Sequence, residues 1–582
     1  METLRNDNRS SEPPLSLNSS PLPRAAVWAL AIAAVLLWFV TLATRALVSA
    51  DEGRYATLSL SMLQTGDWVT PRLNGLLYFE KPPLQYWAGA LSMALLGTNE
   101  FAARLWPGLC GLFTVAMLVF TAHRLWGQRT AVHTACVASS TTWMALNSHF
   151  LSLDASLCAA LTVVLCAVLL AQDELQRGQS ARAWILAAWA GMALAVLSKG
   201  LVGVVIPGAV LVIHSLWRLD ARLWKHLQWV AGPVVFLALT APWFLAVSER
   251  NPDFAHFFFI HEHLDRYLHP GHRREGAPWY FVPYLLLGLL PWTSALPWVL
   301  RPRRSDFAHS WLWTWAVFIF VFFSVSSSKL PSYILPLFPA LALLVARQTA
   351  AASPQALQRH LWLPAGLWLG ILVALPWALQ HTSAEIPAAA VESLGWGLAL
   401  GGAGVVLAAV GAWRLLQRAR ITRAMILLAA AHLAATLMVL SAHNEYGQLK
   451  SSQRMVESLR QRGWLDPGPG AAPVPFYAVQ AYDQTLPFYL GRPVILVDYR
   501  DEFSFGQAQE PERWVDSLDS FIQHWSAKPR ALAYTSLQTL EELQRRGVAL
   551  NVVQQITGHK SLGSLGHYLQ ADDSEVLAAI TG

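Results

Sequence analysis

Charge is scarce in this 582-residue sequence. Only 13% of its residues are Asp, Glu, Lys or Arg, against roughly 25% in an ordinary soluble domain. Too little charge is present to cover a water-facing surface, which excludes a soluble globular fold for most of the chain. The net charge of +6 is spread over short segments and forms no basic face. With no groove-reading element beside it, a nucleic-acid partner is excluded. Cysteine is scarce too. Cys110, Cys136, Cys158 and Cys166 all fall in apolar runs without CxxC spacing, so neither a disulfide framework nor a cysteine metal site is expected. No internal repeat is found. The "GGAGVVLAAVG" run at 401–411 lacks GxGxxG spacing and reads as a helix-packing surface, so no nucleotide cofactor is expected.

Apolar and interfacial residues are abundant. The chain is 54% hydrophobic and holds 27 Trp, a residue favoured where lipid meets water. This composition specifies an α-helical polytopic membrane protein. Residues 1–24 are polar and rich in Pro and Ser, the composition of a disordered tail. The run at 25–48 contains "LVSAD", faintly like a signal-peptidase site, but its apolar length exceeds a signal peptide's and reads as an uncleaved anchor. Further spans are expected near 102–122, 131–149, 156–172, 183–197, 200–217, 229–248, 278–298, 311–325, 332–347, 361–379, 394–414 and 421–441, about 13 in all.

With the N-terminus in the cytoplasm, six internal loops hold sixteen Lys and Arg, while four short external connections hold only Lys199 and Lys329. Positive residues favour the cytoplasmic side, so 25–441 forms a transmembrane domain with long external loops at 49–101 and 249–277. Residues 442–582 lie outside. There "VPFYAVQ" and "RPVILVDY" read as strands and "SLQTLEELQRRG" as a helix, giving a soluble α/β domain. In the first loop, "DEGRYATLSLSMLQTGDW" and "LQYWAGALSMALLG" read as helices at the membrane surface.

The charges near spans gather on the external side: Asp51, Glu52, Arg54, Glu80, Lys81, Asp154, Lys199, His261, Glu262, His263, Arg266 and Lys329. Charge near lipid is costly unless it has a partner or a use. Lys81, Lys199, Arg266, Lys329 and Arg54 suit phosphate oxygens, and Asp51 and Asp154 suit a base or an acceptor-orienting group. Glu80 and His261 either bind a divalent metal such as zinc or hydrogen-bond each other. The array fits transfer of a group away from a lipid-linked phosphate. Plainer readings stand beside it: Asp51 and Asp154 as helix caps, and Lys199 and Lys329 as span-end anchors.

Four stretches, "DEGRYATLSLSMLQTGDWVTPRLNGLLYFEKPPLQYW", "NEFAARLWPGL", "FFFIHEHLDRY" and "SSSKLPSYILPLFPAL", resemble the ArnT family. These are bacterial aminoarabinose transferases related to the protein O-mannosyltransferases. The family pattern opens nearer "DEARYAE", so Gly53 and Thr57 are departures. The resemblance implies a GT-C glycosyltransferase of the bacterial inner membrane. It would take a sugar, 4-amino-4-deoxy-L-arabinose, from an undecaprenyl-phosphate carrier to a lipid A phosphate at the periplasmic face, giving polymyxin resistance. Residue by residue, it implies catalytic roles for Asp51 and Asp154, donor-phosphate binding by Lys81, Arg266 and Tyr333, and a metal pair of Glu80 and His261. Arg54 and Lys199 are implied as further polar cavity residues. Alternatives within the class are another sugar or a protein or glycan acceptor. A lipid or sugar transporter would place charges at mid-membrane between inverted repeats, and a membrane scaffold would need no external charge cluster.

Overall fold

The structure, a computed structural model, describes residues 24–265, 276–383, 386–466, 472–528, 530–548 and 555–557. Helices dominate because apolar runs in lipid must satisfy every backbone N–H and C=O internally. Helix α1 (Arg24–Val40) passes into a short 3-10 turn. Helices α2 (Asp51–Thr65) and α3 (Leu84–Leu96) occupy the first long loop, and between them β1 (Arg72–Leu73) pairs antiparallel with β2 (Leu76–Leu77). Then follow α4 (Glu100–Ser140), α5 (Thr142–Ser148), α6 (Leu153–Gln176), α7 (Arg182–Lys199), α8 (Val202–Arg218) and α9 (Ala231–Arg250).

Among the described residues, eight helices are long and apolar enough to cross a membrane, or nine if the bent pair Phe281–Gly288 and Thr293–Val299 counts as one. The thirteen-span reading counts more. Its run at 102–122 and the first half of that at 131–149 lie in α4, which breaks at Gly127 (φ 82°), a backbone conformation that favours glycine; the rest of the second run is α5. Its run at 183–197 falls on α7, outside the eight. Its run at 278–298 is the pair bent by 108°. The runs at 25–48 and 200–217 fall on shorter apolar helices. At the centre lies α6, with nearly every residue buried, packed against α4, α7 and the 3-10 segment Pro331–Leu337, while the helix Phe338–Ala351 packs on α4.

Both helices expected in the first loop are present, and protein covers the apolar face of α2. Its Tyr55, Ala56, Leu58, Leu60 and Met62 are buried in one apolar cluster with α3 and the C-terminal domain. Asp51 and Glu52 in its first turn complement the helix dipole. Gly66, at φ 69°, closes the other end by bonding its N–H to the Met62 carbonyl.

The C-terminal domain carries a parallel sheet in the order β4 (Ile495–Val497), β3 (Phe476–Val479), β5 (Leu532–Thr535), β6 (Gln555–Thr557). Both expected strands are there, and the expected helix is Leu537–Arg545. Side chains alternate across a strand, and β3 uses both faces. Tyr477 and Val479 pack under the domain's own helices with Phe521, Trp525 and Leu540. Phe476 and Ala478 join the cluster that includes α2 and α3. The sheet is therefore docked face-on against the first loop.

Candidate active site

The first loop is fixed at its root by a buried ion pair. Arg104 of α4 donates from Nε and Nη2 to the two oxygens of Glu52, each at 2.7 Å. It also donates to the carbonyls of Arg45 at 2.6 Å and Ala46 at 2.7 Å. Glu52 accepts in addition from the Val48 and Leu151 backbone N–H groups. Both side chains are buried. Pairing with Arg104 outweighs burial and holds the Glu52 carboxyl below its ordinary value. This hub sets the start of α2, and so the positions of Asp51 and Arg54.

One turn of α2 brings Arg54 back to Asp51, whose Oδ1 accepts from Nη1 at 2.7 Å. The residue at the cap position is Ala50, with no side-chain cap, so the Asp51 carboxylate is engaged by a cation and does not cap its helix. Arg54 also donates from Nε to Glu502 of the C-terminal domain. Glu502 is almost wholly buried, with Tyr78, Tyr86, Glu80 and Arg54 in its electrostatic surroundings. Burial, with a contribution from Glu80, pushes its carboxyl above the ordinary range, while Arg54 and Gln484 pull against this.

Asp154 and Lys199 form a second pair. Asp154 stands in the first turn of α6 and Lys199 is the last residue of α7. Lys199 donates from Nζ to Asp154 Oδ1, and its ammonium lies 4.3 Å from the centre of the Tyr333 ring, a cation–π contact. Lys199 is thus not a simple span-end anchor, and Asp154 is not a simple cap. Tyr55 links the two groups, because both Asp51 and Asp154 contribute to its electrostatic environment. Lys329 bends back to donate to the Ser326 carbonyl at 2.8 Å, which closes its own loop.

Lys81 donates from Nζ to the backbone carbonyl of Glu80 at 2.8 Å. The segment carrying both residues is clamped to the C-terminal domain. Asn74 exchanges bonds of 2.8 and 2.7 Å with the Val494 backbone. Glu510 accepts from Arg72 at 2.7 Å and from the Leu77 N–H at 3.1 Å. Phe79 packs on Phe254 and Phe505. Of the expected metal pair, the His261 side chain lies outside the described residues, as do Arg266 and the side chains of Glu262 and His263. Among the described residues, no three His, Cys, Asp or Glu side chains gather as a metal-binding group.

Sequence reading passes over Glu502, Gln484, Tyr78, Tyr86 and Arg104. One signal does point to the first two. Gln484 follows the carboxyl end of β3 and Glu502 that of β4, and ligand-facing residues of open parallel sheets collect beyond strand carboxyl ends.

Both parts of the chain are similar to known proteins. A family model described as dolichyl-phosphate-mannose-protein mannosyltransferase matches residues 25–258, and one described as the aminoarabinose transferase C-terminal domain matches 469–558. Among curated relatives, the undecaprenyl phosphate-alpha-4-amino-4-deoxy-L-arabinose arabinosyl transferase of Erwinia tasmaniensis is 32% identical over 60% of this chain and 65% of its own length. That of Pseudomonas aeruginosa (strain UCBPP-PA14) is 34% identical over 56% and 60%. The chain thus spans less than two thirds of these two relatives. The crystal structure of ArnT from Cupriavidus metallidurans bound to undecaprenyl phosphate superposes with a TM-score of 0.82 at 36% identity, covering 90% of this chain and 95% of that one. Its apo form gives 0.82 at 35%, covering 90% and 94%. The chain is a multi-span membrane protein and belongs to the ArnT family.

Proposed function

We propose that this chain is an inverting glycosyltransferase that moves 4-amino-4-deoxy-L-arabinose from undecaprenyl phosphate to a phosphate of lipid A. The observation that carries the reading is the convergence of two cation–carboxylate groups, Asp51–Arg54–Glu502 and Asp154–Lys199–Tyr333, around Tyr55. The loop asymmetry of Lys and Arg supports an inner-membrane orientation with a cytoplasmic N-terminus and a periplasmic C-terminal domain.

In this reading an acceptor phosphate oxygen attacks the anomeric carbon. The bond from that carbon to the carrier phosphate breaks, and undecaprenyl phosphate leaves with the electron pair. Lys81 and Arg54, with Arg266, hold the leaving phosphate, and their charge favours the transition state in which negative charge builds there. Lys199 holds the acceptor phosphate beside Asp154. Asp51 and Asp154 aim these cations, since a phosphate acceptor is already ionised at neutral pH and needs no strong base. Glu502 is the carboxylate for the sugar's ammonium. The buried hydroxyls of Tyr86 and Tyr482, which make no hydrogen bond among the described residues, suit the sugar's hydroxyls. The zinc pair of Glu80 and His261 remains part of the proposal, and no step above runs through it.

The test is transfer by the purified chain from undecaprenyl-phosphate aminoarabinose to lipid A, read by mass spectrometry. An added aminopentose on lipid A is the expected result. Transfer only to protein or glycan, or only of another sugar, would replace this reading with the wider polyprenyl-phosphate-sugar transferase.

A further inference from the structure

Gln484 makes three links to the site. Its backbone lies against Gly53 so closely that a Cβ there would come within 2.5 Å of the Gln484 carbonyl carbon and the Thr485 nitrogen. Its carbonyl accepts from Thr57 Oγ1 at 3.2 Å. Its side-chain amide donates to Glu502 Oε1 at 3.1 Å, the oxygen not taken by Arg54. Gly53, Arg54 and Thr57 stand on adjacent positions of α2, so the links close a circuit: helix to turn, turn to Glu502, Glu502 back to helix.

The turn is stiff. Asp483 Oδ1 accepts from the Thr485 N–H at 2.8 Å and from its hydroxyl at 2.5 Å. The Thr485 hydroxyl in turn accepts from the Ser452 N–H at 2.8 Å. Gly53 and Thr57, one helical turn apart on α2, both meet the Gln484 backbone. Glycine admits the turn and threonine bonds it.

We infer that Gln484 is a positioning residue that couples docking of the C-terminal domain on α2 to the aim of the Glu502 carboxylate at an amino sugar. The inference rests on the reading of Glu502 given above. The groups facing Glu502 are Arg54 from α2, Glu80 and Tyr78 from the first loop, Tyr86 from α3, and Tyr482 and Tyr499 from its own domain. Among the described residues printed against Glu502, Arg54 is the cation on one carboxylate oxygen and the Gln484 amide the neutral donor on the other. Loss of the amide donor leaves that oxygen unaimed.

The experiment compares the full-length enzyme with Gln484→Met and Gly53→Ala, using two undecaprenyl-phosphate donors that carry aminoarabinose or plain arabinose. Gln484→Met keeps the side chain's volume and removes its donor. Loss of a hydrogen bond to a charged group raises KM for the amino donor about tenfold, with kcat and the plain donor little changed. Gly53→Ala reproduces the KM effect through the backbone. Equal loss with both donors would reduce Gln484 to a structural part and overturn the inference. So would wild-type kinetics in Gln484→Met while Glu502→Gln loses amino-donor preference, an outcome that leaves the Glu502 reading intact. If the wild type and Glu502→Gln treat both donors alike, the Glu502 reading fails and takes this inference with it.

Discussion

Arg104 and Glu52 meet in two parallel bonds of 2.7 Å within a fully buried site. Removing one partner of such a pair leaves the other charge buried and alone, at a cost of about 3–5 kcal/mol. Arg104→Met or Glu52→Gln should lower the melting temperature in detergent sharply, while the double variant should recover part of the loss. Independent effects of the two substitutions would show that the pair does not act as a unit.

Asp154 and Lys199 allow a similar separation with a different expected result. Asp154→Leu with Lys199→Met restores a neutral, packed pair, so thermal stability should recover relative to either single change. Activity should not recover, because the cation proposed to hold the acceptor phosphate is gone. A drop in kcat of about 100-fold or more is expected, and an active double variant would reduce this pair to scaffolding.

Lys81→Ala, Arg266→Ala and Asp51→Asn should each abolish transfer and leave the protein folded in the membrane. Gel filtration and thermal melting in detergent check the second half of that statement. Wild-type transfer by all three would remove the phosphate-binding role from this face.

Two buried carboxylates should respond to pH with opposite sign. Glu52 titrates below its ordinary value, so the stability it contributes is present above the ordinary carboxylate pKa and is lost as pH falls through its folded value. Glu502 titrates above its ordinary value. Its contribution is present below the ordinary pKa and is lost as pH rises through the raised folded value. Glu502→Gln should therefore melt no lower than wild type at pH 7, and Glu52→Gln should melt well below it. Melting curves from pH 4 to 8 decide the matter.

Local pattern and long-range contact divide what could be read in advance. Helices α2 and α3 were legible because their apolar residues keep helical spacing, and the strands at 476–479 and 495–497 because they are short apolar runs between turns. Asp51, Arg54, Asp154 and Lys199 stood out because charge beside an apolar run is costly. The bend between Gly288 and Thr293 interrupts hydrophobicity too little to show in composition. Glu502 was passed over because an acidic residue in a soluble segment reads as solvated, and its place beyond β4 gains meaning only with the sheet order. Its partner Arg54 is 448 positions away, and only the fold brings the two together.

Asn74 and Val494 pin the Lys81 loop to the C-terminal domain across 420 positions of chain. At synthesis rates of 5–20 residues per second that gap amounts to about 20–80 s. The loop reaches the membrane long before the surface that clamps it exists, so a nascent or truncated chain carries the cations without the geometry. A chain cut short before Val494 lacks this clamp, and transfer by such a truncation should fall to background while the transmembrane part still inserts.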